Sequence, residues 1–215
     1  MRMRYLIVFF LCAFMAGTVS AQSDSVQHIP HLEIKKNKRI SISKGDSSIT
    51  VIIDTLIMHD RAYLEFFGKK NVNLQVKNAF IPKRAYISGT DGKNNASNLT
   101  MTVRFKELGA LYVYAAGRDA FNGTKTYPNG NGGIVVFNYL NDGIVPQQEN
   151  SKQDHYLEIG TKGGGLVGNA NTDIYNIFSR IGTGARPLGQ LPEGQVYSGS
   201  PGKDGKSEIK EVNGF

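Results

Sequence analysis

Arg61, Ala62 and Tyr63 recur downstream as Arg84, Ala85 and Tyr86, with Lys83 just ahead of the second copy. A guanidinium can fork onto a carboxylate through two parallel hydrogen bonds. A tyrosine ring offers a flat apolar face with a polar tip. Repeated at one spacing, Arg61, Tyr63, Lys83, Arg84 and Tyr86 are the residues expected to meet an anionic glycan, provided the fold stacks one copy on the other. The same row could equally serve to pack one layer on the next. The basic run Lys35–Arg39 (KKNKR) is a second anion-contact candidate, or a solvated turn that discourages edge pairing.

The set also admits an enzyme. In a polysaccharide lyase acting on acidic polysaccharide, Tyr63 or Lys83 would take the proton beside a uronate carboxylate, and Arg61 or Arg84 would neutralise that carboxylate.

Whether these residues meet depends on the elements that carry them. Val51–Leu64 (VIIDTLIMHDRAYL) overlays Leu74–Ile87 (LQVKNAFIPKRAYI) at a spacing of about 23 residues, and Leu99–Tyr112 (LTMTVRFKELGALY) follows at about 25. Within each unit apolar residues alternate, as in Val51/Ile53, Leu74/Val76 and Met101/Val103. Period two marks strands with one buried face, and a fixed repeat of this length marks a solenoid. The expected fold is therefore all-β: a right-handed parallel β-helix of about 23-residue coils with a Gly-rich C-terminal region and one short helix, the alternative being a β-sandwich.

The expected organisation has a signal peptide at 1–21, an N-terminal extension or cap at 22–48 and a solenoid core at 49–140. A loop, a strand and a short helix follow at 141–182, then a Gly-rich flexible tail at 183–215. The helix would cover Asp173–Ile181, capped by Thr172 and ended by Gly182. Leu32–Ile34 and Ile40–Ile42 would form a strand, turn and strand over one end of the core.

Several chemistries find no support. The G-x-G-x-x-G triple Gly163, Gly165, Gly168 lacks the following strand and the acidic residue of a dinucleotide fold, and no Gly-Lys-Ser/Thr follows. It reads as a Gly-rich turn, with no nucleotide expected. His28 and His31, expected in a mobile N-terminal stretch, do not make a metal motif, and the single Cys lies in the apolar leader. Asp91–Asn95 has the look of a partial calcium loop but reads as a turn. No nucleophile elbow or triad stands out. The reading thus has no catalytic residues, no metal site and no cofactor, and no nucleic-acid partner.

Arg2 and Arg4, the apolar run Tyr5–Met15 and the small residues Ala16–Ala21 read as a secretory signal cut after Ala21. The run is shorter than the roughly 20 residues that a membrane span needs, so no span is expected in the mature chain. Loss of Arg2 and Arg4 lowers the formal charge of +7 by two, leaving a modest basic excess suited to anionic polymers. Asp24-Ser25-Val26 and Asp54-Thr55-Leu56 match a short acceptor pattern for O-linked glycans in some exported bacterial proteins.

The stretches LQVKNAFIPKRAYISGTDGKN and LTMTVRFKELGALYVYAAG with the trailing GSPGKDGKS resemble a group of glycine-rich exported bacterial proteins in which solenoid-like β segments precede glycine loops. The likeness runs from about Ile49 to Ser207, and this chain has fewer glycine runs and a shorter collagen-like end. The resemblance implies an extracytoplasmic location and a β-helical fold, and transfers no functional residue. The expected function is that of a secreted or cell-envelope protein, structural or binding anionic glycan on a repetitive β surface, with anionic polysaccharide or an envelope protein as partner.

Overall fold

The computed structural model describes residues 25–122, 126–165 and 201–215. The strands are β1 (Ser25–Ile34), β2 (Arg39–Ile42), β3 (Ser48–Met58), β4 (Ala62–Phe67), β5 (Asn71–Thr90), β6 (Asn98–Tyr114), β7 (Phe121–Asn122), β8 (Thr126–Tyr127), β9 (Ile134–Leu140), β10 (Tyr156–Gly160) and β11 (Lys206–Val212). Among the described residues, apart from the small antiparallel pair β7–β8, every pairing between these strands is parallel. The fold is a β-solenoid. One face runs β1-β3-β5-β6-β9-β11, and the second runs β2-β4-β5-β6-β10. β5 and β6 are long enough to turn the corner and serve both faces.

The period-two pattern explains the core. Val51, Leu74, Met101 and Phe137 occupy one rung position and are all fully buried. On the second face Leu64, Ile87 and Val113 do the same. Each coil covers the apolar row of the next, which is why a single coil cannot fold alone. Phe105 and Phe137 stack across two coils with ring centroids 6.1 Å apart.

The repeat is correct for its first two units and incorrect in length at its third. Ala62 pairs with Ala85 and Tyr63 with Tyr86, as the spacing of 23 requires. Leu99, however, pairs with Val72 rather than Leu74, so that unit is displaced by 27 residues at its start. The extra residues lie in the turn Asp91–Ser97. A two-residue error preserves which side chains face inward at the start of the unit, because the strand period is two. Past the irregularities near Ala79 and Arg84 the displacement is 26, and that one-residue error exchanges Ala110 for Leu111 opposite Ala85.

The N-terminal strand–turn–strand is present, but its first strand reaches back to Ser25 and pairs along β3. His28 and His31 are thus strand residues, not part of a mobile stretch. The end of the expected flexible tail is also ordered: Lys206–Val212 forms β11 on β9. The segment expected to be helical, Asp173–Ile181, and Gly168 lie outside the described residues.

A third side closes the coils. It is built from residues 44–47, 68–70, 91–97, 115–119, 128–133, 161–165 and 201–205. The segment 128–133 lies among its neighbours: Gly130 N–H donates to Arg118 O, Gly133 N–H to Ala115 O, Gly132 N–H to Lys203 O, and Gly164 N–H to Gly130 O. A Cβ on Gly130 would come within 1.8 Å of Asn94 O, and one on Gly133 within 2.1 Å of Ser97 O. Gly202 and Gly205 make equally close approaches to Gly130 and Gly133. Gly132, Gly163 and Gly164 are as crowded, so the side uses glycine wherever backbones approach too closely for a side chain, as collagen does at its axis.

Two histidine–carboxylate contacts tie β1 to its neighbour: His28 Nε2 lies 2.9 Å from Asp54, and His59 Nε2 lies 2.8 Å from Glu33. Asp54 also pairs with Lys77 at 2.8 Å. Its carboxyl is held below the usual range chiefly by the Lys77 and His28 hydrogen bonds, and that of Glu33 chiefly by His59. A carboxyl with a depressed folded pKa contributes stability above its unfolded pKa and loses it as pH falls through the folded value. The docking of β1 is therefore expected to hold above pH 4.5 and weaken as acid passes below 3.8, the ordinary values of these groups. Hydrogen exchange of β1 amides should quicken there before those of β5, and Asp54→Asn with Glu33→Gln should flatten that difference.

Candidate functional site

The corner between the two faces gathers the basic residues. Lys35, Lys36 and Lys38 lie between β1 and β2; Arg61 lies between β3 and β4; Lys83 and Arg84 lie at the bend of β5. All six are exposed. Backbone hydrogen bonds lock the three turns together: Asn37 N–H donates to Asp60 O, Arg61 N–H to Arg84 O, and Tyr63 N–H to Lys38 O. Asn37 and Arg61 take the left-handed conformation, at φ 57° and 56°. For arginine that conformation costs on the order of 1 kcal/mol, so the tight turn is kept against local preference. Of the six, Arg61 alone has an ion-pair partner among the described residues, Asp60 at 3.6 Å. The ridge stops at the next coil, where Gly109 holds the corner; a Cβ there would meet Pro82 O at 2.9 Å. Lys106 and Glu107 beside it are both exposed and leave no net charge there.

Tyr63 and Tyr86 do stack, at 5.4 Å between centroids and 17° between planes. Tyr112 continues the row at 5.3 Å from Tyr86. Tyr114 adjoins both Tyr86 and Tyr112, and Tyr156 meets Tyr112 edge-on. Tyr112, Tyr114 and Tyr156 escaped the sequence reading because they lie on differently spaced coils. The stacking changes what the tyrosines offer. Their faces pack on one another, and Arg39 covers the end of the row with its guanidinium carbon 4.6 Å above Tyr63. The face therefore presents ring edges and phenol hydroxyls to a ligand, rather than flat platforms. Tyr114 is pushed above the usual phenol range by burial first and by Glu158 next; burial and the Glu158 hydrogen bond do the same to Tyr156. Raised phenols hold their protons, which suits hydrogen-bond donation better than proton abstraction.

Beside the ladder is a groove of about 220 Å3. The register sets Glu65, Ser88 and Tyr114 side by side across three strands. Arg39 from β2 and Arg118 from the third side flank Glu65, at 3.7 and 3.6 Å. Sequence spacing did not bring this group together, since Arg39, flagged only as part of the Lys35–Arg39 run, Glu65 and Arg118 come from three coils and lie outside the repeat units.

The two described glycines of the spaced triple are engaged by the protein itself. Gly163 N–H donates to Asp204 at 2.7 Å and Gly165 N–H to Asp119 at 2.6 Å. Amides already bound to carboxylates have nothing to offer a phosphate. Asp91–Asn95 is a turn closed by its own side chains: Lys93 N–H and the Asn95 amide both donate to Asp91. No group of three or more His, Cys, Asp or Glu residues placed to hold a metal occurs among the described residues. No described helix is long and apolar enough to cross a membrane. The acceptor-like Asp54-Thr55-Leu56 lies within β3, with Leu56 buried and Asp54 engaged by His28 and Lys77. No protein-family model matches the chain, and no curated protein or solved structure matches it.

Proposed function

We propose that the protein is exported and acts without catalysis, holding anionic glycan along its basic corner and the tyrosine face beside it. The gathering of Lys35, Lys36, Lys38, Arg61, Lys83 and Arg84 on one exposed ridge carries this reading. Residues far apart in the chain there form one row of cations, and only Arg61 has an acidic partner among the described residues. Successive coils are spaced by about 4.8 Å, so the charges recur along the solenoid axis as they would along an extended polymer. The export half of the proposal rests on Arg2, Arg4, the apolar run Tyr5–Met15 and the small residues before Gln22.

The test is co-sedimentation of the purified protein with insoluble acidic polysaccharide. Binding should be strong at about 0.1 M salt, where charges act over about 10 Å, and largely lost near 1 M, where they act over about 3 Å. The triple variant Arg61→Gly, Lys83→Gln, Arg84→Gln should bind about tenfold more weakly, with its fold kept because glycine suits the left-handed turn at position 61. A wild-type protein that stays in solution at low salt, or a triple variant that pellets like the wild type, would overturn the proposal.

A further inference from the structure

We propose that the groove between Arg39 and Arg118 is a subsite for one acidic sugar residue carrying a single negative charge. This rests on the anionic-glycan reading above and adds a discrete site to the diffuse ridge.

Glu65 lies between the two arginines. Its side chain is 11 % exposed, while those of Arg39 and Arg118 are 60 % and 56 % exposed. One carboxylate oxygen faces each guanidinium, at 3.7 and 3.6 Å. Hydrogen bonds of this kind lie at about 2.7–3.2 Å, so both contacts are electrostatic only. Glu65 thus holds two cations near each other without consuming their N–H donors. Two guanidiniums and one carboxylate leave one net positive charge, which matches a monoanion.

Each arginine is positioned by something other than the ligand. Arg39 lies over Tyr63 at 4.6 Å, which leaves the edge of its planar fork available. Arg118 sits on a pinned backbone: its N–H donates to Asn94 O and its carbonyl accepts from Gly130 N–H, both at 2.8 Å. Between them the groove floor carries the hydroxyls of Ser88 and Tyr114. The raised phenol of Tyr114 remains a donor over a wider pH range, and Glu65 can accept from a sugar hydroxyl. At about 220 Å3 the groove is smaller than the roughly 300–1,000 Å3 of pockets for drug-sized ligands, a scale that suits one ring. A uronate and an O-sulfated sugar both bring one negative charge.

Calorimetric titration of the purified protein with three short oligosaccharides of equal length, one uronate, one O-sulfated and one neutral, tests this. The acidic oligomers should bind and the neutral one should not; preference for either acidic form supports the site and names its anion. Arg118→Gln should weaken acidic-oligomer binding by about 10-fold to 100-fold, the scale of one charge-assisted hydrogen bond. Its exposed side chain makes loss of fold unexpected, and an unchanged circular dichroism melt checks this. The corner triple variant should bind the short oligomers like the wild type while binding the long polymer about tenfold more weakly. Unchanged binding by Arg118→Gln overturns the groove and leaves the ridge standing. So does failure of short acidic oligomers where the polymer still sediments. Failure of oligomer and polymer alike overturns both readings.

Discussion

Gly130→Ala is expected to destabilise the protein by about 4 kcal/mol or more, a size reserved for the few substitutions that break a packed backbone. The added Cβ would stand 1.8 Å from the carbonyl oxygen of Asn94 and 2.2 Å from its carbon. Those are main-chain atoms, so no rotamer change can make room. Relief requires parting of the segments 91–97 and 128–133, which endangers the hydrogen bonds from Gly130 N–H to Arg118 O and from Gly164 N–H to Gly130 O. Ordinary overpacking of a core costs about 1–3 kcal/mol because side chains share the adjustment, and here they cannot. With native stabilities of only about 5–15 kcal/mol, the variant should unfold at a much lower denaturant concentration. Gly214→Ala is the control: its Cβ would meet nothing within 4 Å, and its midpoint should match the wild type. A Gly130→Ala protein as stable as that control would show that the glycine side is not packed as described.

The second large effect belongs to Lys69, which is fully buried without a carboxylate. Its ammonium donates to the carbonyls of Lys44 at 2.6 Å and Asp46 at 2.7 Å, pinning the first turn of the third side. Its own carbonyl accepts from Ser97 Oγ at 2.6 Å, so the residue joins three successive coils. Lys69→Met keeps the stem and removes the charge. Two effects then oppose one another. Burying no ion saves some desolvation, while two carbonyls lose short charge-assisted bonds of about 1.5–3 kcal/mol each. The second should win, because the ammonium is already solvated by the carbonyls it would leave unpaired. A net loss of about 3 kcal/mol is expected, measured by urea unfolding. Limited proteolysis should find new cleavage near Gly45. Wild-type stability combined with wild-type protease resistance would assign Lys69 no more than a filler role.

Much of the fold was legible because a solenoid writes its contacts locally. Alternation at Val51/Ile53 or Leu74/Val76 marks the buried face, and the recurrence of Arg-Ala-Tyr marks the rung on which Tyr63 meets Tyr86. The misread spacing of the third unit spared the first half of its inside–outside assignment, where the error is two residues, but not the second half, where it is one and Leu111 rather than Ala110 lies opposite Ala85. The collagen-like Gly202–Gly205 stretch was a real signal too, but its meaning depends on partners. Three triplets cannot make a triple helix, yet Gly202 and Gly205 pack closely against Gly130 and Gly133.

The sequence by itself thus determined the strand period, the core rows, the stacking of the first two repeats and the basic residues of the corner. Tertiary structure alone decided how those residues are used. It turned the tyrosine faces onto one another, which no spacing reveals because it depends on ring orientation between coils. It brought Lys35–Lys38 beside Arg61 and Arg84, because coils of 24 and 23 residues return the chain to the same corner. And it placed Arg118 opposite Arg39 across Glu65, through a glycine-lined side whose path follows from backbone hydrogen bonds and close approach rather than from any pattern of side chains.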